Sequence, residues 1–355
     1  MPHSSQPYRD EWVGNRTPGD GMKIYRSLAE LPSDLGPTVA TIGNFDGVHR
    51  GHQWVIAEVI ARAAALGATS LAITLDPHPA RVLGKQTNLT LITPLEEKLA
   101  LLAATGIDAA FVLPFDLELS RLTARDFAST ILRDALHVVE VHEGENFRFG
   151  HNAEAGIDGL EQLGRDLNFA VKTYSPSVLR GEAVSSSRIR KLIAAGEVHR
   201  ARPLLGRPFS IVSTPASGRG YGTKYTVPTI NLADYAELLP AAGVYITQIT
   251  IDGETFDAVT NVGTRPTFGH VPGTPDFTVE THILNFHPID LDEGTPIRLA
   301  FLHRLRPEIK WPNPEALRTQ IGLDVARAKR YFSLCKSLGK TVLPDGRPAR
   351  AAVTS

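Results

Sequence analysis

The sequence predicts two halves of different class: an α/β domain on a Rossmann-like parallel sheet, then a small antiparallel β-barrel with a C-terminal helix. Three observations predict it. Between Lys23 and about Arg200, strand-like and helix-like segments alternate. After about Arg200, short strands follow one another without intervening helices, punctuated by Gly, Pro and Asp. One long amphipathic pattern, Pro314–Phe332, closes the series. At 355 residues the chain exceeds what a single core usually serves, so two cores are expected.

The elements follow in order. The first twenty residues, MPHSSQPYRDEWVGNRTPGD, lack the apolar centre of an export signal, and residues 1–21 are expected to form a disordered extension. TVATIG (Thr38–Gly43) predicts a buried strand. WVIAEVIARAAALG repeats apolar residues at Val55, Ile56, Val59, Ile60 and Ala63 and stops at Gly67, so the spacing predicts a helix over Trp54–Gly67. SLAITLDPHP (Ser70–Pro79) reads as a second buried strand. Strand, crossover helix and strand make a βαβ unit, which implies a parallel sheet with ligands at the carboxyl ends of its strands. The pattern continues with helix Glu96–Gly106 and strands Ala109–Phe115 and His137–Gly144. The expected first domain is 22–203.

The second domain, 204–335, is expected to contain strands in PFSIVSTP, GVYITQITIDG, TFDAVTNVG, FTVETHIL and PIRLAFLHRL, with residues 336–355 as a tail. The divide falls near Arg202–Arg207.

Composition excludes several classes. Lys+Arg 37 against Asp+Glu 38 gives a formal charge of -1, so no global field recruits nucleic acid. No apolar run reaches membrane-spanning length. The single cysteine, Cys335, leaves no internal disulfide framework and no thiolate metal cage; it fits a reducing compartment and predicts a cytoplasmic protein. The expected partners are small molecules, with no nucleic acid and no membrane. Whether the chain forms a homo-oligomer is left open.

The densest chemistry lies in TIGNFDGVHRGHQ (Thr41–Gln53), between a strand and a helix. Gly43 permits a turn and close approach of a nucleotide, and free N–H groups at the helix start attract phosphate. His49 and His52 stand three apart near that start and can donate to the same phosphate oxygens as charge builds there. The competing readings are helix-capping histidines and a zinc pair, but HxxH has no third convergent ligand in view. Gly339–Thr341 ends like a Walker A loop, yet Leu334 stands where its first glycine belongs.

GNFDGVHRGH resembles the signature of the HxGH nucleotidyltransferases. With DPHP (Asp76–Pro79), GENFRFG (Gly144–Gly150) and VSSSRIR (Val184–Arg190), it resembles the FMN adenylyltransferase half of the bacterial bifunctional riboflavin kinase/FAD synthetases. The resemblance implies that His49 and His52 hold ATP phosphates and that Gly43, Asn44, Phe45, Asp46 and Gly47 line the same turn. It further implies that Ser186, Ser187 and Arg188 close over the triphosphate. A guanidinium suits that role through its planar donors. Asn146, Phe147 and Arg148 are the implied flavin contacts; Asn146 stands where the family usually carries aspartate. Alternation of Phe147 and Phe149 in a short strand is also consistent with core packing.

The second half has its own constellation. VPTINL (Val227–Leu232) sets Thr229 and Asn231 two apart, so on an extended chain both leave one face. Their hydroxyl and amide oxygens are hard donors suited to Mg²⁺. SGRGYG supplies Gly218, Gly220 and Gly222 for a phosphate-wrapping loop, and VETHIL presents Glu280 and His282 on one strand face. A carboxylate there can take the proton of an alcohol attacking a γ-phosphate. These segments, with Gly243–Ile246, Asn261–Phe268 and Arg304–Glu308, resemble the riboflavin kinase module. The resemblance implies Thr229 and Asn231 as metal and nucleotide ligands and Glu280 as base. It covers about residues 23–333.

In this half three positions depart from the family pattern. Thr226 replaces a glycine beside the phosphates, Ile230 replaces the alanine of PTAN, and Asn285 replaces the aspartate of LDF. The bulk of Ile230 is expected on the strand face opposite the metal ligands.

The resemblance implies two transfers: phosphorylation of riboflavin by ATP to give FMN, then adenylylation of FMN by a second ATP to give FAD and pyrophosphate. ATP is co-substrate, riboflavin, FMN and FAD are substrates or products, and Mg²⁺ is the expected cofactor. The rivals are a chain with one working half, a non-catalytic flavin-binding regulator, and a sugar or lipid-headgroup cytidylyltransferase. The last shares the HxGH logic but leaves the barrel without a role.

Overall fold

Long runs of β-branched and small apolar residues, buried on both faces, build the first sheet of the computed structural model, which describes residues 21–84, 88–179, 181–216, 229–264, 277–289 and 291–339. Its strands are β1 (Lys23–Tyr25), β2 (Thr38–Gly43), β3 (Thr69–Asp76), β4 (Ala109–Pro114), β5 (Val138–Gly144) and β6 (Ala170–Tyr174). They lie in the order β1-β4-β3-β2-β5-β6, and every neighbouring pair is parallel. The chain steps from β2 out to β4, then crosses to the other side of β2 for β5. The topological switch point therefore lies between β2 and β5.

The helix after β2 runs Arg50–Leu66, four residues earlier than its apolar periodicity indicates, and buries Ile56, Val59 and Ala63. Arg50–Gln53 carry no apolar repeat, so periodicity alone does not find this first turn. Ile42, Ile73, Phe111, Leu132 and Leu160 belong to the core of this unit. A π-helical segment, Phe127–Ala135, and a helix, Ile157–Leu167, complete it.

After β6 come a small hairpin, β7 (Val178–Leu179) with β8 (Glu182–Ala183), and two helices, Ser186–Ala194 and Val198–Leu205. The second sheet contains β9 (Phe209–Ser213), β10 (Thr229–Asn231), β11 (Gly243–Ile251), β12 (Glu254–Thr264), β13 (Phe277–Ile283) and β14 (Ile297–Pro307). Its order is β10-β13-β12-β11-β14-β9, all antiparallel. The Ala216 amide donates to the Asn231 carbonyl at 2.9 Å and the Ala233 amide to the Thr214 carbonyl at 2.8 Å. These bonds, with the bridge Pro215–Leu232, link the residues that follow the two outer strands and curl the sheet toward the expected barrel.

The last helix, Pro314–Ser337, passes the expected end at Phe332 by five residues. Asn313 caps it by accepting from the Ala316 amide at 2.8 Å. A buried pair, Arg306 Nε to Asp324 at 2.9 Å, ties it to β14. Among the described residues, no helix is long and apolar enough to cross a membrane.

The described residues fall into two compact units: those within Met1–Asn44, Trp54–Lys85 and Leu99–Tyr174, and those within Phe45–Gln53, Gln86–Lys98 and Ser175–Ser355. The histidine-bearing turn is thus counted with the helices after β6 and with the barrel.

Candidate functional site

The turn from Phe45 to His52 is held by many hydrogen bonds. Phe45, Gly47 and Val48 have left-handed backbone, φ 45°, 83° and 37°, of which only the glycine adopts it without strain. Gly43 completes β2, so the reversal uses the freedom of Gly47 rather than Gly43. A side chain at Gly47 would meet Ile92 at 3.2 Å.

Asp46, expected to line a nucleotide, is 2 % exposed and anchors the turn instead. Its Oδ1 accepts from the amides of Ile92 (2.8 Å) and Thr93 (3.1 Å), and its Oδ2 pairs with Arg190 at 2.7 Å. The Gly47 amide donates to Thr93 Oγ1 at 3.0 Å. Ser186 Oγ donates to the Asp46 carbonyl at 2.8 Å, so the serine motif is tied to the turn. Arg207 lies behind it: its Nη2 donates to the Gly47 carbonyl at 2.8 Å, and its Nη1 reaches the Val48 and Leu205 carbonyls at 3.4 Å. Burial lowers the Arg207 guanidinium only to about 10, so it keeps its charge near neutrality.

The rings of His49 and His52 stack with centroids 3.6 Å apart at 17°. Phe45 meets His52 edge-on at 5.2 Å. The His52 amide donates to His49 Nδ1 at 3.3 Å, which leaves the His49 proton on Nε2, free to donate outward. Burial lowers His49 to about 4, and burial followed by the adjacent His49 lowers His52 well below its usual range. Both imidazoles are therefore neutral at pH 7. The buried Nδ1 of His52 has no hydrogen-bond partner. A buried polar atom without a protein partner is left for water or a ligand to satisfy.

Ser185 caps the motif helix through the Arg188 amide, and Ser187 is exposed. Arg188 points to Glu182, with Nε at 3.1 Å and Nη2 at 2.9 Å, and Glu182 also holds Arg200. Both members of the Arg188 pair are more than a third exposed, so the pair is weak and exchangeable. Arg190, two residues on, is the arginine that reaches the turn; the motif VSSSRIR contains it, but only packing separates its role from that of Arg188. Arg207 and Thr93 have no local sequence signal, because their partners lie 160 and 46 residues away.

In the sheet unit, Asn44 Oδ1 is buried without a partner. Asn146 and Arg148 are exposed on a turn closed by the Phe147 amide donating to the Gly144 carbonyl at 2.9 Å. Phe147 stacks on Phe149 with centroids 5.4 Å apart, and both pack against the core of that unit. The aromatic alternation therefore belongs to a turn, and the core-packing reading describes these rings.

In the barrel, Thr229 pairs with His282 and Asn231 with Glu280 across β10 and β13. Directly opposed residues share a face, so the ladder brings all four together. Asn261 of β12 opposes Glu280 from the other side. Thr229 Oγ1 lies 3.3 Å from His282 Nδ1. Burial, then Lys329, lowers His282, leaving it neutral. Hydroxyl, amide and carboxylate oxygens around one spot are the donor set of a hard divalent cation, so the residues fit Mg²⁺. Ile230 is fully buried in the barrel core, on the face opposite the ligand pair, as expected. Gly218, Gly220, Gly222 and Thr226 lie outside the described residues.

Comparison with known proteins bears on both constellations. Family profiles described as FAD synthetase and riboflavin kinase match residues 31–188 and 205–332. A bifunctional riboflavin kinase/FMN adenylyltransferase of Pseudomonas fluorescens is 35% identical over 312 residues, covering 87% of this chain and 97% of that protein. The protein of the same description from Escherichia coli (strain K12) is 30% identical, covering 89% and 99%. A crystal structure described as a macrolide-efflux protein from Streptococcus pneumoniae superposes with a TM-score of 0.76 at 23% identity, covering 87% of this chain and 99% of that one. At that identity the last likeness speaks for the fold alone.

Proposed function

The chain belongs to the family of bifunctional riboflavin kinases/FMN adenylyltransferases and is an enzyme of FAD biosynthesis from riboflavin, and on that premise we propose how its residues divide the two reactions. We put the functional divide near residues 203–204, a reading supported by the gap between the matched stretches 31–188 and 205–332.

In the barrel, Glu280 takes the proton of the primary hydroxyl of riboflavin as that oxygen attacks the γ-phosphorus of ATP, giving FMN and ADP. Thr229 and Asn231 hold Mg²⁺ and the nucleotide phosphates; when bound, the ion neutralises phosphate charge. At the turn, an oxygen of the FMN phosphate attacks the α-phosphorus of a second ATP, giving FAD and pyrophosphate. Neutral His49 and His52 donate to phosphate oxygens, and the bond is strongest as charge gathers in the transition state. Arg188 leaves Glu182 to bind the triphosphate, and Arg207 adds positive field behind the turn. Asn146 and Arg148 are the flavin contacts, Gly43 and Asn44 give the nucleotide close access, and Gly47 supplies the reversal that presents the histidines. The single cysteine, Cys335, supports a cytoplasmic location.

The observation that carries this division is that the paired neutral imidazoles and the Glu280–Asn231–Thr229 face are built from separate elements, each with the groups one transfer needs. The test is a chromatographic time course with riboflavin and MgATP. Glu280→Ala stops FMN formation and leaves supplied FMN convertible, whereas His49→Ala does the reverse; loss of both steps in either variant contradicts the division.

A further inference from the structure

Glu143, near the end of β5, has no role in the two transfers as described, yet its placement is unusual. It is 5 % exposed, and the residues it meets on β2 and β6 are uncharged. The ladder between β2 and β5 stops at Ala40↔Val141. Beyond that point the Ile42 amide has no acceptor from β5; it donates to Glu143 Oε1, which also receives the Thr41 hydroxyl at 3.3 Å. The carboxyl therefore replaces a missing rung at the switch point, where a parallel sheet opens a ligand crevice. Thr173, opposite Glu143 across β5 and β6, has a buried hydroxyl with no partner, a second sign of a polar floor. The other acid and the histidine of β5 are engaged elsewhere: Glu140 pairs with Arg62 at 2.7 Å and with His142 at 3.0 Å, and His142 meets the Tyr174 hydroxyl at 2.7 Å.

We propose that Glu143 is a positioning residue for adenylyl transfer: its carboxyl wedges β2 from β5 and gives Ile42 an acceptor, so that the backbone entering Gly43 and Asn44 is held open for phosphate. The inference rests on the reading that the His49–His52 turn holds the ATP of the adenylyl step. Burial without a cation pushes the Glu143 carboxyl up to about 8. The wedge is thus a neutral acid near pH 7, whose carbonyl oxygen accepts the backbone proton. Once ionised, it is a dry negative charge against Thr41 and Ile42, and it disfavours a phosphate held at the adjoining Gly43 and Asn44.

The test is the KM for ATP of FMN adenylylation between pH 7 and pH 9, in wild type and in Glu143→Gln, with riboflavin phosphorylation by the same protein as internal control. A single ionisation at the value above raises the wild-type KM about tenfold over that range. The kinase KM stays level, and Glu143→Gln removes the rise. The thermal midpoint, read without turnover, should fall from pH 5 to pH 8 more steeply in wild type than in Glu143→Gln, since the unfolded acid releases its proton before the folded one does. Parallel KM profiles in the two proteins overturn the inference, as does a Glu143→Gln protein that loses adenylylation at every pH while phosphorylating riboflavin. Failure of wild type to convert FMN overturns instead the reading on which it rests.

Discussion

The histidine-bearing turn and the barrel's strand face, the two places at which we propose that ATP is bound, are stabilised in opposite ways. At the turn His49 is buried and His52 half-buried, both neutral; two backbone positions are strained, and Asp46, Arg190, Thr93 and Arg207 hold the loop from behind. On the barrel, Glu280 is exposed, and its relation to Asn231 follows from strand register alone. A loop needs a supporting shell to present two imidazoles at stacking distance. A ladder presents a carboxylate and an amide face to face with nothing further.

The comparison is broken or sharpened by substitution. The largest effect is expected from Glu280→Gln, which removes the base without altering the ladder. Riboflavin phosphorylation falls about 10²- to 10⁴-fold, while the denaturation midpoint and FMN adenylylation hold. His52→Ala lowers adenylylation about 10²- to 10³-fold, as loss of an oxyanion-type donor does. In the free enzyme both imidazoles are neutral, His49 having been lowered to about 4, so log kcat/KM for adenylylation should show no histidine inflection between pH 5.5 and pH 7.

Asp46→Ala tests the supporting shell. It strands Arg190 and two buried amides, and the cost measured by denaturant unfolding is about 3 kcal/mol, with adenylylation falling further than phosphorylation. A cost below 1 kcal/mol would mean the turn holds itself. The smallest effect belongs to Glu182→Gln: an exposed pair contributes little stability, so the midpoint stays put while the freed Arg188 lowers the KM for ATP in the adenylyl step by about two- to threefold.

Much of this was legible in advance, for identifiable reasons. Residues Thr38–Gly43 and Ala109–Pro114 announce buried parallel strands through unbroken apolar runs, and β11 and β14 through strand-forming segments bounded by turn residues. Thr229 and Asn231 fall on one face because strand side chains repeat every two residues, and His49 and His52 meet because they lie within one helical turn. Periodicity puts the start of the first helix four residues late because Arg50–Gln53 face the turn rather than the core. A glycine at a strand end such as Gly43 is ambiguous, and only the backbone assigns the left-handed position to Gly47.

The sequence by itself determined the class of each half, the two residue constellations and their order along the chain, since period, turn chemistry and short-range spacing are local properties. Only the tertiary structure decided that Asp46 anchors the turn, that Arg190 instead of Arg188 reaches it, that Arg207 lies behind it and that Glu143 fills the switch point. Each of these depends on a partner 46 to 160 residues away, and on whether burial leaves a charged group paired, neutralised or orphaned.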